Sequence, residues 1–151
     1  MAILIHSEAS KTMGHWLLKT EPEEFSWHDQ LARGAKGEPW TGVRNFIARR
    51  NLKSMRSGEH AFFYHTGSKK QVVGIVEVIR EAYLDPSDPK GIFVAVDVRS
   101  VKPLPKPVTL AAVKAEARLK DMVLVKYSRL SVQPVTEKEW HIVCTMGGLK
   151  Q

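Results

Sequence analysis

"HAFFYHTGSKKQVVGIVEVIREAYLDPSDPKGIFVAVDVRSV", residues 60–101, contains three runs dense in β-branched and aromatic residues, at 60–66, 71–81 and 92–101. That composition predicts three strands. In the third run Ile92, Val94, Val96 and Val98 alternate with Phe93, Ala95, Asp97 and Arg99. Period-two alternation is the pattern of a strand with one buried face. The intervening "YLDPSDPKG" carries two prolines and a glycine and reads as a loop.

On the N-terminal side, "GHWLLK" (14–19) reads as a first strand and "EPEEFSWHDQLARG" (21–34) as a turn followed by a short helix. Ser26 is its predicted N-cap, with Asp29 three residues on and Gly34 at the far end. A second helix is expected to start at Asn45, a good capping residue, and to run to about Met55. There Ala48, Leu52 and Met55 share one face, and Arg49, Lys53 and Arg56 a neighbouring one. On the C-terminal side, the proline-punctuated "KPLPKPVTL" should lead into a helix over 109–119. "DMVLVKY" and "RLSVQPV" read as two more short strands, and Thr136 and Glu139 of "TEKEWHIV" are spaced as a capping box. Five or six strands broken by short helices, without regular βαβ alternation, predict an α+β domain on a mainly antiparallel, barrel-like sheet.

The chain has 151 residues, the length of one domain able to bury about two-thirds of its unfolded surface. No apolar run approaches the ~20 residues that span a bilayer, so no membrane role is expected. Residues 1–12 read as a flexible extension, Met13 as an alternative start, and 13–151 as the domain. One cysteine, Cys144, and no zinc-type spacing fit a reducing compartment, the cytoplasm of a bacterium or the nucleus of a eukaryote, and no metal or cofactor is expected. A net charge of +7 favours polyanionic partners.

Candidate chemistry centres on "EPWTGVRN" (38–45). Read structurally, Trp40 anchors a loop, Gly42 takes a positive φ and Arg44 pairs with a carboxylate. Read functionally, Trp40 lies just ahead of a helix N-terminus whose backbone N–H groups favour an anion or a carbonyl oxygen. An indole face beside hydrogen-bond donors suits a nucleobase, with stacking on the ring and donors at its edge. In "FFYHT" (62–66), Phe62, Tyr64 and Thr66 face one way, Phe63 and His65 the other, and spacing leaves open whether Tyr64 or His65 reaches a pocket. In "RLSVQP" (129–134), Leu130 and Val132 face the core and oppose Ser131 and Gln133. Gln133 carries both a donor and an acceptor. No phosphate-binding glycine loop and no nucleophile–base motif is present. Glu21, Glu23 and Glu24 beside Lys19 and Thr20 form the one group from which an acid/base site could be assembled.

Taken together, "HWLLKTEPEEFS", "PWTGVRNFIARRNLKSM", "FFYHT", "VVGIVEVIREAY" and "DMVLVKYSRLSVQPV" resemble the EVE domain family of the PUA-like superfamily, in order from about Gly14 to Val143. The resemblance implies a PUA-like fold, a small β-barrel with short helices packed around it, related to the YTH readers of methylated adenine. It also implies a pocket for a flipped-out modified base: a methylated or hydroxymethylated cytosine in DNA, or a modified base in RNA. By motif position Trp40 supplies an aromatic wall. Gly42, Val43, Arg44 and Asn45 rim the pocket, Trp16, Lys19 and Glu21 lie at the first strand, and Tyr64, His65, Ser131 and Gln133 complete it. Thr20 and Thr66 stand where the family often has serine, which keeps the hydroxyl, and Arg50 adds a cation. Arg49, Arg50, Lys53, Arg56, Lys69 and Lys70 are the expected phosphate contacts. The expected function is a non-catalytic reader of a modified base. The alternative is a hydrolase of a modified nucleoside or small amide, as in related ASCH-type proteins, using Lys19, Thr20 and Glu21.

Overall fold

A computed structural model describes residues 13–150, so the extension expected over 1–12 lies outside the described residues. Six strands, β1 (His15–Thr20), β2 (Glu38–Pro39), β3 (His60–His65), β4 (Gln71–Leu84), β5 (Val94–Thr109) and β6 (Val132–Val135), form one sheet in the order β2-β5-β4-β3-β1-β6. The helices are α1 (Trp27–Ala32), α2 (Phe46–Ser54), α3 (Leu110–Ala115), α4 (Val123–Lys126) and α5 (Glu137–Met146). The architecture is α+β. Strands β1 and β3 pair in parallel, and the other neighbours are antiparallel. The ladder starts at β2 and ends at β6 without joining them, so among the described residues the sheet is open rather than a closed barrel. β2 is only two residues long and β6 four, and helices cover both faces instead.

Alternation along the central strands builds two cores. Trp16 and Leu18 of β1, Ala61 and Phe63 of β3, and Val96 and Val98 of β5 meet Trp40, Val43, Ala48, Leu52 and Met55 on one face. Leu17, Phe62, Tyr64, Leu104 and Val108 meet Val113, Leu119, Leu124, Trp140 and Val143 on the other. Gly74 is required where α1 packs on the sheet, since a Cβ there would stand 2.5 Å from the Trp27 ring.

The capped helices follow the sequence closely. Ser26 and Asp29 form a capping box on α1, Thr136 and Glu139 another on α5, and Asn45 caps α2. Three expectations are corrected. Residues 121–127 hold the short helix α4 instead of a strand, because the run Met-Val-Leu-Val fits either element and the burial of Met122 and Leu124 decides. The proline-rich segment belongs to β5: Pro103, Pro105 and Pro107 sit where the register with β4 breaks between Val72 and Gly74, and β2 reaches only as far as Val98 on the other side. Edges and bulges are where a strand tolerates proline. Ile92 lies ahead of β5 and is 40% exposed, so the buried alternation begins at Val94, and Ala95 is buried as well.

Candidate functional site

A hollow of about 390 Å³ opens at the carboxyl ends of the parallel strands β1 and β3. It is lined by Lys19, Thr20 and Glu21 leaving β1, by Trp40 to Arg44, by Thr66 after β3, and by Ser128, Arg129 and Ser131 ahead of β6. The strand ends are tied together: Thr66 N donates to Thr20 O at 2.9 Å and Lys19 N to Ser131 O at 2.9 Å. A second hollow of about 310 Å³ shares Thr20, Glu24, Trp40 and Thr41 with it.

Trp40 is 7% exposed. Its ring meets Phe63 edge-on at 5.6 Å and Phe25 at 6.2 Å, and its backbone N–H donates to Val96 O. The indole therefore anchors the loop in a core and still borders two hollows. Gly42 has φ +86°, a region that favours glycine, and its N–H donates to Asp85 Oδ2 at 2.8 Å. The Arg44 guanidinium donates to the same oxygen at 3.0 Å, to Ser87 Oγ at 3.1 Å, and lies 5.5 Å from the Phe93 ring centre. Burial acts to raise the pKa of Asp85, but hydrogen bonds from Ser87, the Gly42 N–H and Arg44 outweigh it and hold the carboxyl down to about 2. The structural roles read for Trp40, Gly42 and Arg44 are all present, and they fix the rim of the hollow.

Of the other residues assigned by motif, Lys19, Glu21, Val43 and Ser131 border this hollow. Lys19 Nζ donates to Ser128 O at 2.5 Å, and burial lowers its pKa. Glu21 accepts from the Thr66 hydroxyl at 2.6 Å. The remaining five do not line it. Trp16 is buried and its Nε1 donates to Glu59 Oε1 at 2.8 Å. Asn45 Oδ1 accepts from Ile47 N and Ala48 N, so those helix N–H groups are closed to a ligand. Tyr64 faces the opposite core. His65 Nε2 accepts from the Trp27 backbone N–H at 3.0 Å, and burial lowers the imidazole pKa, which keeps the ring neutral for that role. Gln133 is fully buried and its Nε2 donates to Leu130 O and Tyr127 O, bracing the turn that carries Ser128 and Arg129.

Among the expected phosphate contacts, Arg50, Lys53, Arg56, Lys69 and Lys70 are exposed, and Arg49 donates from Nε to Ile92 O. Sequence reasoning missed Thr41, Ser128 and Arg129, although the last two adjoin the quoted Ser131, and it missed Asp85 and Ser87. The "DPSDP" turn signal was visible, but not that the turn reaches back 43 residues to Gly42. For the group Lys19–Thr20–Glu21, the Thr20 hydroxyl donates to Phe25 O at 2.9 Å and not to a base. Among the described residues no three His, Cys, Asp or Glu side chains converge as a metal site, and no helix is long and apolar enough to cross a membrane.

The EVE domain model matches residues 14–146. Human thymocyte nuclear protein 1 is 34% identical over 166 residues, covering 87% of this chain and 73% of that protein. A solved structure of a Rhodopseudomonas palustris protein is similar at 59% identity with TM-score 0.87, covering 92% of this chain and 96% of that one. Human THYN1 protein, solved in complex with 5-methylcytosine-containing DNA, is similar at 32% identity and TM-score 0.83, covering 91% of this chain and 99% of that one. A Zygosaccharomyces rouxii YTH domain, at 17% identity and TM-score 0.58 over 93% of this chain and 88% of that one, shares the fold.

Proposed function

The chain belongs to the EVE domain family, and from that membership we propose that it is a non-catalytic reader that takes a modified nucleobase of DNA into the hollow beside Trp40. The observation that carries this reading is a hollow of about 390 Å³ at the strand ends, with an indole on its border and a rim locked by the buried Asp85. It is supported by the human relative solved with 5-methylcytosine-containing DNA. In this reading Trp40, Lys19, Glu21, Val43 and Ser131 meet the base. Asn45, Arg44 and Gln133 hold the segments around it, and the exposed cations of α2 with Lys69 attract phosphates. Extruding a base costs a few kcal/mol, offset by stacking of about 1–3 kcal/mol and by hydrogen bonds to the base edge. A hydrolytic reading is disfavoured because the Thr20 hydroxyl donates to Phe25 O and not to a base, and Glu21 accepts from the Thr66 hydroxyl and not from Thr20.

The experiment is a binding comparison of oligonucleotides carrying 5-methylcytosine or plain cytosine. Trp40→Ala should abolish the preference, but the indole also packs on Phe63 and Phe25, so its loss costs about 3–5 kcal/mol of stability. Ser131→Tyr, which fills the hollow and leaves the core intact, is the second variant. It should weaken the methylated oligonucleotide at least about tenfold while the folded spectrum persists, a loss of about 1.4 kcal/mol. Undiminished preference in that variant would falsify the assignment.

A further inference from the structure

Alternation divides the candidate residues between the two faces of the sheet. Leu18 and Phe63 face the core that contains Trp40, whereas Leu17, Phe62 and Tyr64 face the other. Lys19 falls on the side of Tyr64, with Nζ 5.6 Å from its ring centre. Here lies a separate hollow of about 210 Å³, bordered by Lys19, Tyr64, Thr66, Lys70 and Ser128 with two leucines. We propose that this hollow is a phosphate subsite, which seats the phosphate of the same nucleotide whose base enters the hollow beside Trp40. The inference rests on the reader function for the identity of the ligand, and on the geometry alone for its anionic chemistry.

Charge is the first argument. The lining holds two ammonium groups and no carboxylate, and neither Lys19 nor Lys70 is in an ion pair among the described residues. Donors are the second. Lys19 gives one N–H to Ser128 O and keeps two of its three for a ligand. Burial raises the pKa of the Tyr64 phenol, so it remains a protonated donor. Lys70 has φ +40°, the one non-glycine residue with positive φ among the described residues. Strained backbone of this kind concentrates where a ligand is clamped.

Continuity is the third argument. Lys19, Thr66 and Ser128 border both hollows, so one small ligand reaches both. Glu21 and Glu24 border the hollow beside Trp40 and not the one beside Tyr64. Beside Trp40 the carboxylates are mixed with the cations Arg44 and Arg129, whereas the hollow beside Tyr64 presents lysines without any carboxylate, so it is the better seat for a phosphate. A nucleotide, with an uncharged ring at one end and an anion at the other, matches that polarity in one orientation.

The test is a titration of isotopically labelled protein with inorganic phosphate, followed through backbone amide resonances. Saturating shifts are expected at Thr66, Lys70 and Ser128. They should weaken at least tenfold in Lys70→Gln and be retained in Lys138→Gln, an exposed lysine of α5. The 5′-monophosphate of 5-methyl-2′-deoxycytidine should shift Thr41 and Lys70 together, whereas its nucleoside should spare Lys70. Phosphate that leaves Thr66, Lys70 and Ser128 unmoved, shifts that survive Lys70→Gln, or a monophosphate that moves Thr41 alone each overturn the subsite. Failure of the reader function looks different: equal affinity for methylated and plain oligonucleotides, with the phosphate-induced shifts intact.

Discussion

Asp85 supports the rim of the hollow with one buried carboxylate. It accepts from Gly42, Arg44 and Ser87, and its side chain is fully buried while that of Arg44 is 39% exposed. The folded-state pKa of about 2 lies below the ordinary 3.8. The group therefore contributes stability that is present above the ordinary value and lost as pH falls towards 2. The difference corresponds to about 2 kcal/mol. In urea unfolding, Asp85→Asn should be less stable than the parent by about that amount at pH 6, and the gap should narrow to a small fraction of it by pH 2, where the folded-state carboxyl is about half protonated. A gap that stays constant with pH would contradict the account. The sequence named Arg44 as half of an ion pair, but its partner lies 41 residues away in a turn with no mark of its destination.

At the scale of elements, helix α2 joins the rim to the first core. Asn45 supplies its cap through Oδ1, while Ala48, Leu52 and Met55 are buried along one face. Asn45→Ala should cost about 1 kcal/mol. Asn45→Asp, which keeps an acceptor, should restore most of it, read as the urea midpoint. If both variants matched the parent, the cap would be irrelevant to stability. This helix was legible because its cap and its apolar spacing are local signals that agree. Helix α4 was not, because four consecutive apolar residues carry no period, and Met122 and Leu124 are placed by a core assembled from distant strands. Gln133 shows the same limit: alternation with Val132 set it opposite the core, towards an exterior or a cavity, yet it is buried beneath the 127–130 turn, with its amide N–H groups on carbonyls of that turn.

At the scale of the whole molecule, a net charge of +7 predisposes the chain to polyanions, and α2 presents Arg50 and Lys53 to solvent. Binding of an oligonucleotide should weaken linearly in log K against log salt, by about 0.9 per phosphate contact on duplex and about 0.7 on single strands. The double variant Arg50→Glu with Lys53→Glu should flatten that slope by about two contacts and weaken methylated and plain oligonucleotides alike, because phosphate contacts carry no base information. An unchanged slope would move the phosphate path to another face.

The sequence by itself determined the central strands β1, β3, β4 and the start of β5, the three capped helices, the α+β class, the family and the two loops that approach the hollow, since all of these are written in local spacing and in residues such as Asn45, Gly42 and Trp40. Tertiary structure alone decided that β1 and β3 run in parallel, that the sheet stays open, and that Trp40 and Tyr64 lie on opposite faces of it. The physical reason is that period two fixes which residues of a strand share a face, but only the pairing of strands, set by contacts distant in sequence, decides which core each face meets.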